Sequence, residues 1–193
     1  MIKELGPGFR LTLVFTIMLG LLYPAAMTGL SQLIFPVQAN GSLVIVDGKV
    51  VGSSRIGQPF AKPEYFHPRP SAAGSGYDAS ASGGSNLGPT NQKLIDRVKK
   101  AAEDFRKENP DFNGNIPADI LTTSSSGLDP HISPAAADAQ AVRVAGARGI
   151  GTDQVKQLIA QNTEGADLGF LGEPHVNVLM LNIALDQRFP ISR

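Results

Sequence analysis

The chain has 193 residues and balances 17 Lys+Arg against 17 Asp+Glu, so one domain, or one domain with an appendage, is expected at zero formal net charge. That balance excludes the basic excess of a nucleic-acid binder, and no nucleic-acid partner is predicted. Cysteine is absent, which excludes disulfides, Cys-ligated zinc and iron–sulfur clusters, and 21 Gly with 14 Pro point to a loop-rich domain.

From Leu11 to Phe35 no side chain is charged; Arg10 precedes the run and Asp47 is the next charge. A helix over residues 11–35 would span roughly 37 Å at about 1.5 Å per residue, enough to cross a hydrocarbon core of about 30 Å with some tilt. Val37 and Ala39 offer a signal-peptidase pattern before Asn40, and cleavage there would leave a secreted binding module. The apolar run is about twice the length of a signal-peptide core, which favours an uncleaved anchor in lipid. Lys3, Arg10 and the α-amino group of Met1 flank one end, whereas Lys49 is the first cation beyond the other. This bias predicts a cytoplasmic segment 1–10, a transmembrane helix 11–35 and an extracytoplasmic domain 36–193 of a cell inner-membrane protein. Removing Lys3, Arg10 and Glu4 from the totals leaves 15 basic and 16 acidic side chains in that domain. Inside the span, Pro24 predicts a kink. Leu21, Ala25, Thr28, Gly29 and Gln32 fall on one helical face, where the small Ala25–Gly29 pair admits a partner helix.

Beyond the span, residues 42–52 read as a hairpin around an Asp47-Gly48 type I′ turn. Pro59, Pro63, Pro68 and Pro70 exclude helix from 58–70 and predict a covering loop. Residues 71–90 are rich in Ser, Gly and Ala, but Tyr77, Asp78, Asn86 and Leu87 argue against a plain linker. Thr90 or Asn91 caps an amphipathic helix with Leu94, Ile95, Val98, Ala101, Ala102 and Phe105 inward, ending at Asn109-Pro110. Residues 116–123 read as a short strand. Ser133-Pro134 opens an Ala-rich helix to about Arg148, and Thr152 caps another. Residues 176–185 are apolar on both faces, so periodicity leaves strand and helix open, and Pro174 tips the balance toward helix. The fold class is α/β or α+β, an extracytoplasmic domain on one N-terminal transmembrane helix.

Little chemistry is visible. Ser125 or Ser126 with His131 would make an anchored extracytoplasmic serine hydrolase, but the Gly-x-Ser-x-Gly elbow is missing. His67, His131 and His175 lack metal-ligand spacing, so no metal site is predicted, and no phosphate-binding Gly-rich loop with Lys is present.

Four stretches are specific together: Ser82-Gly83-Gly84-Ser85-Asn86-Leu87-Gly88-Pro89-Thr90-Asn91; residues 123–134 from Thr123 to Pro134; Gln140 with Arg143-Val144-Ala145 and Arg148-Gly149; and Leu171-Gly172-Glu173-Pro174 with Val176-Asn177-Val178-Leu179 and Leu181-Asn182. With the N-terminal span, Ile56-Gly57-Gln58 and Arg69-Pro70-Ser71-Ala72, the chain resembles the C subunit of the bacterial Kdp potassium-transporting ATPase over nearly its whole length. The resemblance implies an accessory, non-catalytic subunit of an ATP-driven potassium importer. Its partners would be a channel-like potassium-binding subunit, a P-type ATPase subunit that hydrolyses ATP and a very small single-span subunit. It further implies a catalytic chaperone that raises the ATP affinity of the hydrolysing subunit, with Ser82, Gly83, Gly84, Ser85 and Asn86 similar to a nucleotide-contacting loop. No cofactor is expected on the chain itself; ATP and potassium enter through the complex. One departure is His175, at a position where the resemblance implies Arg. The charge bias sets residues 82–86 across the membrane from cytoplasmic ATP, which leaves coupling through the Pro24 span as the indirect route.

Overall fold

The computed structural model describes residues 2–191. Met1, whose amino group counts in the charge bias, lies outside the described residues, as do Ser192 and Arg193 of the expected domain. The chain forms two compact units, 1–51 and 52–193.

In the first unit, α1 (Ile2–Ile17) passes through a π-helical turn (Met18–Leu22) into α2 (Tyr23–Ile34). Helix therefore begins well before the expected Leu11, and the apolar rod covers Lys3–Ile34, 32 residues with none buried among its neighbours. Where Pro24 leads one to expect a kink, the helix passes through this π turn. Pro24 has no N–H to give the Gly20 carbonyl, and its ring would collide with that carbonyl in a regular α-helix. Widening the preceding turn removes the collision, and the Tyr23 N–H donates to the Met18 carbonyl five residues back. Phe35 leaves the helical region (φ −130°, ψ 58°) before a single turn, α3 (Pro36–Ala39). The hairpin comes next as expected, β1 (Leu43–Val46) with β2 (Lys49–Ser53). Asp47 (φ 50°) and Gly48 (φ 74°) both take the positive φ of a type I′ turn.

The second unit is α+β. Its sheet has the order β3-β5-β4, with β3 (His131–Ile132), β4 (Thr163–Glu164) and β5 (His175–Asn177), and both pairings are antiparallel. Val176 lies opposite both Ile132 and Thr163. The helices are α4 (Gln92–Glu108), a four-residue α5 (Ala118–Leu121), α6 (Pro134–Arg148), α7 (Thr152–Gln161) and α8 (Val178–Arg188). Asn91 caps α4 through the Lys93 N–H, and Ser133 caps α6 through the Ala136 N–H with Pro134 in the first turn. Gly149 ends α6 in the left-handed conformation.

Three expectations change. Residues 116–123 are not a strand: Pro117 starts the short helix α5, and its Asp119 carboxylate accepts from the Ser133 N–H and hydroxyl. At α7 the cap is Gly151 rather than Thr152, with the Gln154 side chain accepting the Gly151 N–H. The doubly apolar stretch 176–185 divides into strand and helix at Asn177, whose side chain accepts the Met180 N–H.

The core lies between the sheet and α6, α7 and α8, built from Ile132, Val144, Val155, Leu158, Val176, Leu181 and Leu185 with Phe66 from the proline-rich loop. Ala136, Ala137, Ala141 and Ala145 keep α6 thin, so α7 packs close. Proline prevents residues 58–70 from pairing with a strand, yet their backbone groups still need partners. Helix side chains supply them. Asn182 accepts the Phe66 N–H (2.8 Å) and donates to the Phe66 carbonyl (3.0 Å). Gln140 does the same for His67 at 2.8 and 3.1 Å. Arg143 donates to the carbonyls of Pro63 and Tyr65, and Arg148 to that of Glu64. Gln140, Arg143, Arg148 and Asn182 are four of the residues that carry the family resemblance, and here they serve as the loop's missing strand.

Candidate functional site

The Ser-Gly-Gly loop sits against the serine-rich turn of residues 124–127. Gly83 donates its N–H to the Ser126 carbonyl (2.8 Å), and the Ser82 hydroxyl donates to the same oxygen (3.0 Å). A Cβ built on Gly84 would stand 2.9 Å from the Ser125 carbonyl oxygen, and one on Gly127 would stand 2.6 Å from the Ala73 nitrogen. Both glycines are therefore required by close backbone approach. Ser71 ties in a third segment, donating to the Gly127 carbonyl at 2.6 Å and accepting the Tyr77 N–H at 2.8 Å. The Tyr77 hydroxyl donates to the Arg69 carbonyl, and burial pushes that phenol up to about 12. Residues 71–90 are thus a set of fixed turns, with Asp78 capping a 3-10 turn through the Ser80 N–H. Arg97 of α4 donates to the Ser85 hydroxyl (3.2 Å), and Asn86 adopts φ 49°. Arg97 joins this loop from a helix that sequence reading treats only as amphipathic, and it is half-buried there.

The serines named as nucleophiles belong to a turn. Ser124 accepts the Gly127 N–H (2.9 Å), and the Ser126 hydroxyl accepts the Leu128 N–H (3.1 Å). His131 instead faces Asp129, 3.5 Å away, and meets the His175 ring edge-to-face with centroids 4.5 Å apart. Asp129 also takes a 2.8 Å bond from Arg69. Burial pushes the Asp129 carboxyl up, but the His131 hydrogen bonds and the Arg69 charge outweigh it and hold the group below the usual carboxylate range. These side chains line an open cleft of about 370 Å³ with Asp119 and Glu173. His175 lies 3.7 Å from Glu164 across the β4–β5 pair and 3.0 Å from the Glu173 carbonyl. His67 is elsewhere, 3.2 Å from Glu108. Burial and the Arg143 charge hold its ring below the ordinary histidine range, against the pull of Glu108. Among the described residues no group of three His, Asp or Glu is placed to hold a metal ion.

On the rod, Ala25, Thr28, Gly29 and Gln32 lie within the regular helix α2 and share a face, while Leu21 sits in the π turn. All five are exposed, and a Cβ on Gly29 would meet nothing within 4 Å. Gln32 is not left bare: its amide exchanges two hydrogen bonds, 3.3 and 3.1 Å, with Asn40. Asn40 in turn donates to the Pro36 carbonyl at 2.7 Å, which fixes the chain's exit from the helix.

Residues 5–187 match the family model described as KdpC, the K+-transporting ATPase c chain. The chain belongs to this family. It is 59% identical over 191 residues to the potassium-transporting ATPase KdpC subunit of Caulobacter vibrioides, covering 98% of this chain and 96% of the relative. It is 54% identical over 193 residues to the KdpC subunit of Beijerinckia indica, covering 100% and 98%. The Koribacter versatilis KdpC subunit is 55% identical over 190 residues, covering 98% and 97%. Family membership makes the chain an accessory subunit of a potassium importer, and its N-terminal apolar helix fits a membrane-anchored subunit.

Proposed function

We propose that the chain is held in the cell inner membrane by its single helix, N-terminus in the cytoplasm and second unit outside. There it assembles and stabilises the importer against the channel-like potassium-binding subunit, the P-type ATPase subunit and the very small single-span subunit. It performs no hydrolysis itself. It acts as a catalytic chaperone that raises the ATP affinity of the hydrolysing subunit, and it does so through the span rather than by holding nucleotide.

One observation carries this reading. The Ser-Gly-Gly loop, the nearest thing to a nucleotide-contacting element, already uses the Gly83 N–H and the bare Cα of Gly84 against the Ser125-Ser126 backbone. A phosphate cradle needs such N–H groups pointing outward. The Ala25–Gly29 face of α2, by contrast, is exposed and its small residues suit close helix contact. The π turn beside it is the deformable element through which a contact on one side of the bilayer can be felt on the other.

Two measurements test this. Ser75 is exposed, and the chain has no native thiol, so a Ser75→Cys variant should react with a membrane-impermeant thiol reagent in intact cells; reaction only after lysis overturns the topology. Equilibrium dialysis of the purified full chain against millimolar ATP should show no retained nucleotide. Retention that is lost in a Ser82→Ala, Asn86→Ala variant would establish direct contact by residues 82–86 and overturn the indirect route.

A further inference from the structure

Between β4 and β5 the chain makes a tight turn that holds three large apolar side chains in the open. Leu168 is 83% exposed, Phe170 74% and Leu171 51%. The turn is firmly built. Asp167 and Leu171 exchange backbone hydrogen bonds at 2.8 and 2.9 Å, Gly169 donates to the Ala166 carbonyl at 3.0 Å, and Phe170 to the Asp167 carbonyl at 3.2 Å. Leu168 (φ 54°) and Gly169 (φ 81°) occupy the left-handed region, a conformation a leucine adopts only when its surroundings impose it. A folded chain gains nothing from displaying Leu and Phe on a rigid support in water. Such a knob is already ordered for binding and loses little entropy on docking.

The charge around it selects the partner. Residues 162–174 contain Glu164, Asp167 and Glu173 and no Lys or Arg. A membrane surface carrying anionic lipid repels that rim, and lipid-seeking apolar segments are bordered by cations instead. A protein pocket with an apolar floor and basic edges fits both features. Because the chain belongs to a family of ATPase subunits, the neighbouring subunits are the first candidates to carry such a surface. We propose that Leu168, Phe170 and Leu171 form a plug that seats in an apolar pocket rimmed by Lys or Arg on another subunit of the same potassium-transporting ATPase. The proposal rests on membership of the complex and not on which side of the membrane the second unit occupies.

The test uses the full chain co-expressed with the other subunits. Phe170→Asp should reduce recovery of the complex through a tag on this chain at least tenfold, Phe170→Leu should retain it, and both variants should melt like the unmodified chain. Recovery with Phe170→Asp at the unmodified level overturns the proposal. In parallel, a Phe170→Cys variant carrying a benzophenone maleimide is irradiated in the assembled complex. A crosslink to another subunit supports the plug. A crosslink only to lipid, or only to a second copy of this chain, overturns it.

Discussion

Gly127 offers a sharp measure of how much the serine-rich turn and the Ser-Gly-Gly loop depend on backbone contact. Replacing it by alanine places a Cβ in the left-handed region, at φ 67°, which costs about 1–2 kcal/mol. The same Cβ stands 2.6 Å from the Ala73 nitrogen and 2.7 Å from the Gly83 carbonyl oxygen, both rigid backbone. Relieving that overlap must stretch the Ser71–Gly127 and Gly83–Ser126 hydrogen bonds, 2.6 and 2.8 Å, each worth about 1 kcal/mol. The total is about 3–4 kcal/mol, or a melting temperature lower by about 10 °C for a domain near 150 residues. Gly84→Ala overlaps chiefly the Ser125 carbonyl oxygen, at 2.9 Å, with the Ser125 Cα at 3.2 Å and the Ser124 carbonyl oxygen at 3.4 Å, and should cost about 1–2 kcal/mol. Gly83→Ala meets nothing within 4 Å and should stay within about 0.5 kcal/mol. Thermal unfolding of the full chain in detergent, measured by circular dichroism, ranks the three. If Gly127→Ala melts within about 2 °C of the unmodified chain, or no lower than Gly83→Ala does, the close-approach reasoning is refuted.

The polar framework yields two more outcomes. The Arg148 side chain is 1% exposed and donates to the carbonyls of Glu64 (2.8 Å) and Phe189 (2.9 Å) and to the Asp186 carboxylate (2.7 Å), so Arg148→Ala, which leaves these acceptors unpaired, should cost about 3 kcal/mol in urea unfolding. Arg148→Lys should recover little, because an ammonium cannot span that fork; full recovery by lysine would contradict the geometry. Asp129 has a native carboxyl below its ordinary value, so the unfolded chain binds more protons. Its contribution is complete above about pH 5 and is lost as pH falls through the ordinary carboxyl value near 3.9 toward the native one. Asp129→Asn should flatten that acid limb, and an unchanged limb would exclude the Arg69–Asp129–His131 arrangement as its source.

Sequence legibility varied with how local the determining forces are. The hairpin at Asp47-Gly48, the Asn91 cap and the Ser133-Pro134 start were readable because turn and cap chemistry acts within a few residues. The long apolar helix was readable from its lack of charge, but its start was not: Lys3, Glu4 and Arg10 look like the end of a helix to a hydropathy count and cost an exposed helix nothing. The strand expected at residues 116–123 failed because Asp119 answers to Ser133, fourteen residues away. The two-residue strands β3 and β4 have no periodicity to read. Gln140, Arg143, Arg148 and Asn182 carried recognition without their purpose, since the loop they support is more than 70 residues distant in the chain.

The π turn also sets the azimuth of the rod. One extra residue wound into a single turn offsets the succeeding helix by one residue's rotation, about 100°. Ile2–Ile17 and Tyr23–Ile34 therefore face their surroundings as two half-cylinders out of step. Neighbours gripping the two halves can approach from different compass bearings, and a single continuous stripe of contacts along the full length is ruled out by winding alone.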